Sequence, residues 1–451
     1  MMTVAKFGGS SVANAECMLR SAAIVASRPK IKVVVISATE NTTNILEQLA
    51  SLAVAKNQDE LTLLFSQNQK RHLAIALELA ASQIIFSQLM AIFDEAESML
   101  KGISFLQECS AKSMDALYAI GERLSSLLFS VALAKVSNQQ VVLKDVRQVM
   151  ITNSSFGRAK PLEDLLKTKI EELWQSEIEN NNVLIVTQGF IGATVSGDTT
   201  ILGREGSDYS ATLIADALDA AGIEIWKDVP GVATADPDTI KNVKFIPELS
   251  YAEMRDLSTL GAKVLHPMTL APAEKKEIPV YIGSSFNQAL PGTWIKFECQ
   301  SRPLVQALTI KEEQTLVTLS ALRCESLMDF YTQFFQLCQR HAFSLDWLHI
   351  HEAKISFLLG PREKIPNECE IEFLKLATIK RELNTALVSL VGHGLRAKKG
   401  FMSELFSLAE NESIRLVHFG TSVHAFSLLV EQKNGLPLLQ KLHAHFFEDN
   451  L

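Results

Sequence analysis

At 451 residues, 47% apolar and 21% charged, the chain is long enough for two or three domains with buried cores. A net charge of −8 does not recommend nucleic acid or an anionic membrane as a partner. The six cysteines are scattered without a C-x-x-C pair, the first residues show no leader pattern, and no apolar run approaches membrane-spanning length, so reduced thiols and a cytoplasmic location are expected.

Residues 3–7 read as a short strand, and Gly8-Gly9-Ser10-Ser11 as the tight turn into a helix that starts near Asn14. Lys6 then stands at the carboxyl end of a strand, where open α/β sheets bind their ligands. No G-x-x-x-x-G-K-[ST] occurs, so this is not a Walker loop. The β-branched run 31–37 is typical of a buried parallel strand, and Thr42-Thr43-Asn44 is expected to cap the next helix. From about 59 to 135 the chain reads as largely helical. There Leu117, Ile120, Leu124, Leu127 and Leu128 form an apolar stripe around Glu122, which taken alone is an ordinary exposed helical carboxylate. Further strands are expected at 141–143, 183–187, 224–226 and 279–282.

Among these lies Gly203-Arg204-Glu205-Gly206-Ser207-Asp208-Tyr209-Ser210-Ala211, just ahead of the helical stripe Leu213, Ile214, Ala217 and Leu218. It reads as a loop delivering a helix N-terminus, whose open N–H groups and partial positive charge suit an anion. Arg204 adds a planar cation able to grip a carboxylate or phosphate, and Asp208 falls in the first turn, where the dipole favours it. A plain capped surface helix would show the same pattern. The alternation of strands and helices predicts an α/β fold, an αβα sandwich with a mainly parallel sheet, up to about residue 300.

The pattern changes near Arg302-Pro303. Short strands at 307–310 and 316–319, a helix at 328–339 and strands at 344–349 and 355–359 make one unit. A strand at 386–391, a helix at 400–409, strands at 414–419 and 425–430 and a last helix at 435–446 repeat the order. Two such units predict a pair of ferredoxin-like α+β modules. Eight of the ten histidines follow residue 340, but none has recognisable metal-ligand spacing, and no metal site is expected.

Four stretches occur in sequence: Lys6-Phe7-Gly8-Gly9-Ser10-Ser11-Val12, the Gly203 to Ala211 run, Trp226-Lys227-Asp228-Val229-Pro230-Gly231 and Gly261-Ala262-Lys263-Val264-Leu265-His266-Pro267. With Asp145-Val146-Arg147, Phe156-Gly157-Arg158-Ala159, Gln188-Gly189-Phe190-Ile191-Gly192 and the paired modules, nearly the whole chain resembles the aspartate kinases (aspartokinases), in particular the monofunctional lysine-sensitive type. The resemblance implies an amino-acid-kinase fold in a catalytic domain, 1–300, and two ACT-like modules in a regulatory region, 301–451. It also implies transfer of the ATP γ-phosphoryl group to the side-chain carboxylate of L-aspartate, giving 4-phospho-L-aspartate for lysine, threonine, methionine and diaminopimelate synthesis. Mg2+ is implied as the phosphate counter-charge. An aspartate side chain, with a reference pKa of about 3.9, is already ionised at neutral pH, so the reaction needs no general base.

By resemblance Lys6 stabilises charge between acceptor and γ-phosphate, and Asp208 orients Lys6. Gly8, Gly9 and Ser10 cradle phosphate, while Lys227, Asp228 and Lys263 belong to the nucleotide side. Arg204 clamps the aspartate carboxylate, Glu122 meets its ammonium with help from Thr43, and Ser207 is a further substrate contact. Asp346 and Glu352 match effector positions, and the modules imply a homodimer or dimer of dimers.

The chain departs from the pattern in places. Ser10 stands for a usual Thr, Glu205 for Gly, Lys227 for Thr or Ser, Ala233 for Tyr and Asp238 for Arg. Glu205 puts a negative side chain beside an anion site and removes backbone freedom. If the missing Tyr stacks on adenine, its loss costs about 1–3 kcal/mol. Ile350 and His351 replace small hydroxyl residues, and Arg323-Cys324-Glu325 replaces a Gly-containing turn. The aspartate side is thus expected intact, the ATP side altered, and lysine a weaker candidate as effector. A diverged, weakly active or inactive paralogue serving as an amino-acid-binding regulator is the alternative. A kinase of the same fold acting on acetylglutamate, carbamate or UMP is a third reading.

Overall fold

The structure, a computed structural model, describes residues 2–448 apart from Arg204, Lys263, 301–302, 323–325, Asp346 and Thr421. Two compact units emerge: Met1–Val232, Phe245–Tyr251 and Val264–Gln300 in one, and Ala233–Lys244, Ala252–Lys263 and Ser301–Leu451 in the other. A single cut at 300 therefore does not describe the chain. Ala235 and Ile240 explain why, since they share an apolar core with Leu308, Leu390 and Phe426.

The first unit begins β1 (Thr3–Phe7), α1 (Ala15–Ala26), β2 (Ile31–Ile36), α2 (Thr42–Val54), α3 (Gln58–Glu78), α4 (Gln83–Leu106) and α5 (Ala111–Val136). It continues with β3 (Gln140–Lys144), β4 (Ile151–Thr152), α6 (Glu163–Glu179), β5 (Val183–Gln188), β6 (Ile191–Thr194), β7 (Thr199–Ile201) and α7 (Gly206–Ala217). Then come β8 (Gly222–Lys227), β9 (Glu248–Ser250) and, after α8 (Tyr251–Thr259), α9 (Pro267–Lys275), β10 (Val280–Ser284) and β11 (Thr293–Lys296).

Eight strands form one sheet in the order β3-β5-β2-β1-β8-β10-β11-β9, parallel at every pairing except β10–β11. Residues alternate faces along a strand. Ala5 and Phe7 join the core built with α1 and α5, so Lys6 between them points to the opposite face, where α7 packs on β1. That is the expected αβα sandwich. Two details differ. Asn41, at φ 62°, is the N-cap of α2, and Thr42, Thr43 and Asn44 lie inside its first turn. Helix α5, against expectation, has the length and mean hydropathy (1.3) of a membrane span, but 72% of that window is buried. Its apolar surface serves the core instead, with Phe129 packed 5.7 Å from Phe7.

The second unit holds α8 beyond Tyr251, β12 (Ala307–Ala321), α10 (Leu327–Arg340), β13 (Leu348–His351), β14 (Lys354–Leu359) and α11 (Asn367–Leu376). It ends with β15 (Ala377–Val391), α12 (Phe401–Leu408), β16 (Leu416–Phe419), β17 (Ala425–Glu431) and α13 (Gln432–His443). All six strands form one antiparallel sheet, β13-β14-β12-β15-β17-β16. The two short strands expected at 307–310 and 316–319 are one strand of 15 residues, and 386–391 is the second half of another. The polar run Lys311-Glu312-Glu313-Gln314 looks like a break in sequence. It is a bulge, with Glu313 at φ 53° and the register shifting on either side of Gln314. The first half of β12 and the second half of β15 enclose a core with Phe401 and Leu438. The second half of β12 packs another with Phe334 and Phe373. The expected modules are present but interleaved.

Candidate active site

Beyond the carboxyl ends of β1, β2 and β8, which are neighbours in the sheet, lies a cavity of about 380 Å³. Its lining includes Lys6 from β1, the turn 37–41 after β2, Thr43 from α2, Glu122 from α5 and Lys227 from β8. Glu205, Gly206, Ser207 and Asp208 close it at the start of α7. A larger groove, about 680 Å³, runs past Asn44, Glu47 and Glu60 and is lined by no cation. The charged chemistry is therefore in the smaller cavity.

Asp208 is 2% exposed, with Oδ1 2.5 Å from Lys6 Nζ and Oδ2 2.9 Å from Lys227 Nζ. Burial works to raise its pKa, but the two ammoniums outweigh it and hold the carboxyl at about 2. Lys6 moves the other way: burial lowers its pKa, Lys227 adds to that, and Asp208 only partly compensates. For Lys227, burial is outweighed by Asp208, with help from Glu205, and the pKa ends raised. Two cations on one buried carboxylate leave a local positive surplus that suits an anionic ligand, and Glu205 at the same cavity opposes it.

Glu122 is not the exposed carboxylate its helix alone suggests. It is 3% exposed, and burial pushes its pKa up to about 8, against the weaker opposing effect of the Ala38 N–H that Oε1 accepts at 3.2 Å. Oε2 has no partner among the described residues. A buried carboxyl with an unpartnered oxygen at a cavity wall can pair with a cationic group once it ionises.

Glu205 is the N-cap of α7 with φ 53°, the left-handed region, which explains why the related pattern has Gly there. Keeping a side chain in that conformation costs about 1–2 kcal/mol. Its Oε2 accepts the His266 N–H. A close approach at Gly189 sets the height of α7, since a Cβ there would lie 2.6 Å from Ser207 Cβ. In the first turn, Gly8 N–H donates to the Trp226 carbonyl at 3.1 Å and Ser11 N–H to the Gly8 carbonyl at 3.0 Å, so two of its amides are engaged within the chain.

Of the residues singled out in sequence, Lys6, Gly9, Thr43, Glu122, Ser207, Asp208 and Lys227 meet at this cavity, while Gly8, Ser10 and Asp228 do not line it. Asp228 is exposed in the turn after β8, and Glu352 is exposed between β13 and β14 in the second unit. Arg204, Lys263 and Asp346 lie outside the described residues. Asp238 is exposed in a turn in which its N–H donates to Asp236 Oδ1 at 3.0 Å.

Two supports had no sequence signal. Buried Asp115 accepts the Gly157 N–H at 2.9 Å and the Ile201 N–H at 3.1 Å, pinning the chain that leads to Gly203. His72 donates from Nδ1 to the Asn68 carbonyl, so Nε2 accepts the Thr39 hydroxyl at 3.0 Å and fixes the 37–41 turn. Burial lowers its pKa to about 4, which keeps the ring neutral.

A parallel sheet gathering buried ammoniums and a helix N-terminus at its strand ends is the architecture of an enzyme that handles phosphates or carboxylates. Residues 1–284 match the amino acid kinase family. The chain is 35% identical over 460 residues to lysine-sensitive aspartokinase 3 of Escherichia coli (strain K12), spanning 99% of each. It is 31% identical to chloroplastic aspartokinase 3 of Arabidopsis thaliana, over 99% of this chain and 81% of that protein. Among solved structures, E. coli aspartokinase III in complex with aspartate and ADP (R-state) gives a TM-score of 0.90, and its complex with lysine and aspartate (T-state) 0.81. Both are 34% identical to this chain, over 99% of it and 100% of the other. The chain belongs to the aspartokinases, within the amino acid kinase family.

Proposed function

We propose that this chain is an aspartate kinase, transferring the γ-phosphoryl group of ATP to the side-chain carboxylate of L-aspartate to give 4-phospho-L-aspartate. The observation that carries the reading is the buried Lys6–Asp208–Lys227 cluster, which lines one cavity together with the unpartnered oxygen of Glu122. The E. coli relative was solved with aspartate and ADP, in keeping with this. The acceptor carboxylate arrives ionised, so positioning and charge neutralisation do the catalysis. Lys6 holds the charge that develops between acceptor and γ-phosphate, and Asp208 orients it. Lys227 adds a second ammonium on the phosphate side. Glu122 takes the substrate ammonium, with Thr43 and Ser207 beside it. In the first turn the phosphate contact falls to Gly9, which lines the cavity. Arg204 on the substrate carboxylate and Lys263 on the nucleotide phosphates complete the set by motif.

The family implies Mg2+. Both oxygens of Asp208 face ammoniums and Glu205 accepts a backbone N–H, so these carboxylates do not form a cage for the ion. Mg2+ fits this site as an ion carried on the nucleotide phosphates. The full-length likeness to aspartokinases, one of them solved with aspartate and ADP, disfavours the paralogue reading. Assembly as a homodimer or dimer of dimers through the second unit, an amino-acid effector near Glu352 and a cytoplasmic location belong to the same proposal. Cys17, Cys109, Cys338 and Cys369 are in no disulfide, which is in keeping with the last.

A coupled assay should show aspartate-dependent ADP release, and Lys6→Ala should lower it by about 10²–10³ or more. Folded wild-type protein that releases no ADP with aspartate at saturating ATP would overturn the reading. Lysine is the first effector to add to the same assay.

A further inference from the structure

We propose that the second unit holds a site for a zinc-class divalent cation, made by Glu253, His393 and His424. One carboxylate oxygen and one ring nitrogen from each histidine all lie within 4.8 Å of one another. The three residues are 140 and more positions apart in part, and the fold brings them together by separate routes. Glu253 is in the first turn of α8 and is 1% exposed. His393 and His424 flank the end of the β15–β17 ladder, which closes with Val391 opposite Ala425 and Gly392 N–H donating to the His424 carbonyl at 2.8 Å. Only glycine fits at 392, because a Cβ there would lie 2.0 Å from the Leu304 carbonyl oxygen.

The surrounding hydrogen bonds orient the ligands. His424 Nδ1 lies 3.3 Å from the Gly392 carbonyl, which can only accept, so Nδ1 carries the proton and the Nε2 lone pair is left for a metal. Ser422 Oγ accepts the His424 N–H at 3.0 Å and donates to Asp256 Oδ2 at 2.5 Å, which ties the histidine turn to the helix that carries Glu253. Two imidazoles and one carboxylate suit Zn2+ and its surrogate Co2+, with a fourth position for water. Ligand atoms around a tetrahedral Zn2+ stand about 3.4 Å apart, so half-buried His393 and His424 need small side-chain rotations to close on the ion. A bound ion would fasten α8 to the end of the sheet.

The test uses chelator-stripped full-length protein titrated with Zn2+ against a chromophoric competitor, with Co2+ absorption as a second readout. One ion per chain is expected, with visible Co2+ bands of a four-coordinate site. His393→Ala and His424→Ala, which leave the core untouched, should each weaken Zn2+ binding at least about tenfold and abolish the bands. Glu253→Gln should do the same, with circular dichroism as the folding check. His349→Ala and His351→Ala should bind like wild type. Sub-stoichiometric binding, or wild-type binding in both His393→Ala and His424→Ala, would overturn the assignment.

Discussion

Titrating L-aspartate into the protein at pH 7 is expected to release close to one proton per site. Glu122 has its pKa pushed up to about 8 by burial, and Oε2 is unpartnered. At pH 7 such a group is about 0.9 protonated, yet only the ionised form pairs with an ammonium. Binding must therefore expel about 0.9 proton, and the association constant should rise about 50-fold from pH 6 to pH 8, or about 2.3 kcal/mol. The sign is that of a carboxyl whose folded pKa lies above its ordinary 4.5: the free protein loses stability as pH rises from that value through about 8, and a bound ammonium restores it. Calorimetry at pH 7 in buffers of different ionisation enthalpy measures the proton count directly. Glu122→Gln should bind more weakly and release none. A zero slope in the wild type, with Glu122→Gln still weakening binding, would show that Glu122 is already ionised and refute the reasoning.

Lys227 and Glu205 bring opposite charges to one cavity, so Lys227→Thr should lower kcat/KM for ATP, and Glu205→Gly, which removes a negative charge and a left-handed side chain, should raise it. A coupling of about 1–2 kcal/mol is expected in the double-mutant cycle, and additive effects would show that the charges act independently. Gly189→Ala drives a Cβ to 2.6 Å from Ser207 and should cost about 1–3 kcal/mol in urea unfolding while raising KM for aspartate. Unchanged values would mean that the first turn of α7 yields freely. Asp115→Ala leaves the Gly157 and Ile201 N–H groups without their acceptor and should cost about 2–5 kcal/mol in the same measurement.

Much of the first unit is legible in the sequence because its signals are local. The run 31–37 is typical of a buried strand, which the structure has at Ile31–Ile36, and the helix expected near Asn14 begins there, with Asn14 accepting the Cys17 N–H at 2.9 Å. Lys6 is legible because ligand sites gather at strand ends, and Asp208 because it opens a helix after a Gly-containing loop. Glu122 was readable only through resemblance, since its burial depends on α5 packing against the Ala38 turn, a long-range contact. Lys227 looked like drift on the nucleotide side, and only the fold shows it 2.9 Å from Asp208. Asp115, His72 and the Glu253, His393 and His424 group carry no spacing signal at all. In the second unit the polar bulge hid the continuity of β12, because a charged stretch with one left-handed residue looks in sequence like a loop.

That continuity bears on how the second unit folds and yields. Residues 307–311 pair with 387–391, and 316–321 pair with 377–382, so two strands thread both cores. The Phe334–Phe373 core and its strand segments lie within one consecutive stretch, 315–382, inserted into the other half, whose residues 307–311 and 387–391 meet across it. The inserted core is therefore the more local of the two, and the outer one closes only once the ends of that insertion are together, a non-local step that slows folding. The backbone of β12 and β15 runs on from one core to the other, and the bulge at 311–314, with Asn384 at φ 56° beside it in β15, is the place where a twist imposed at one end can be absorbed.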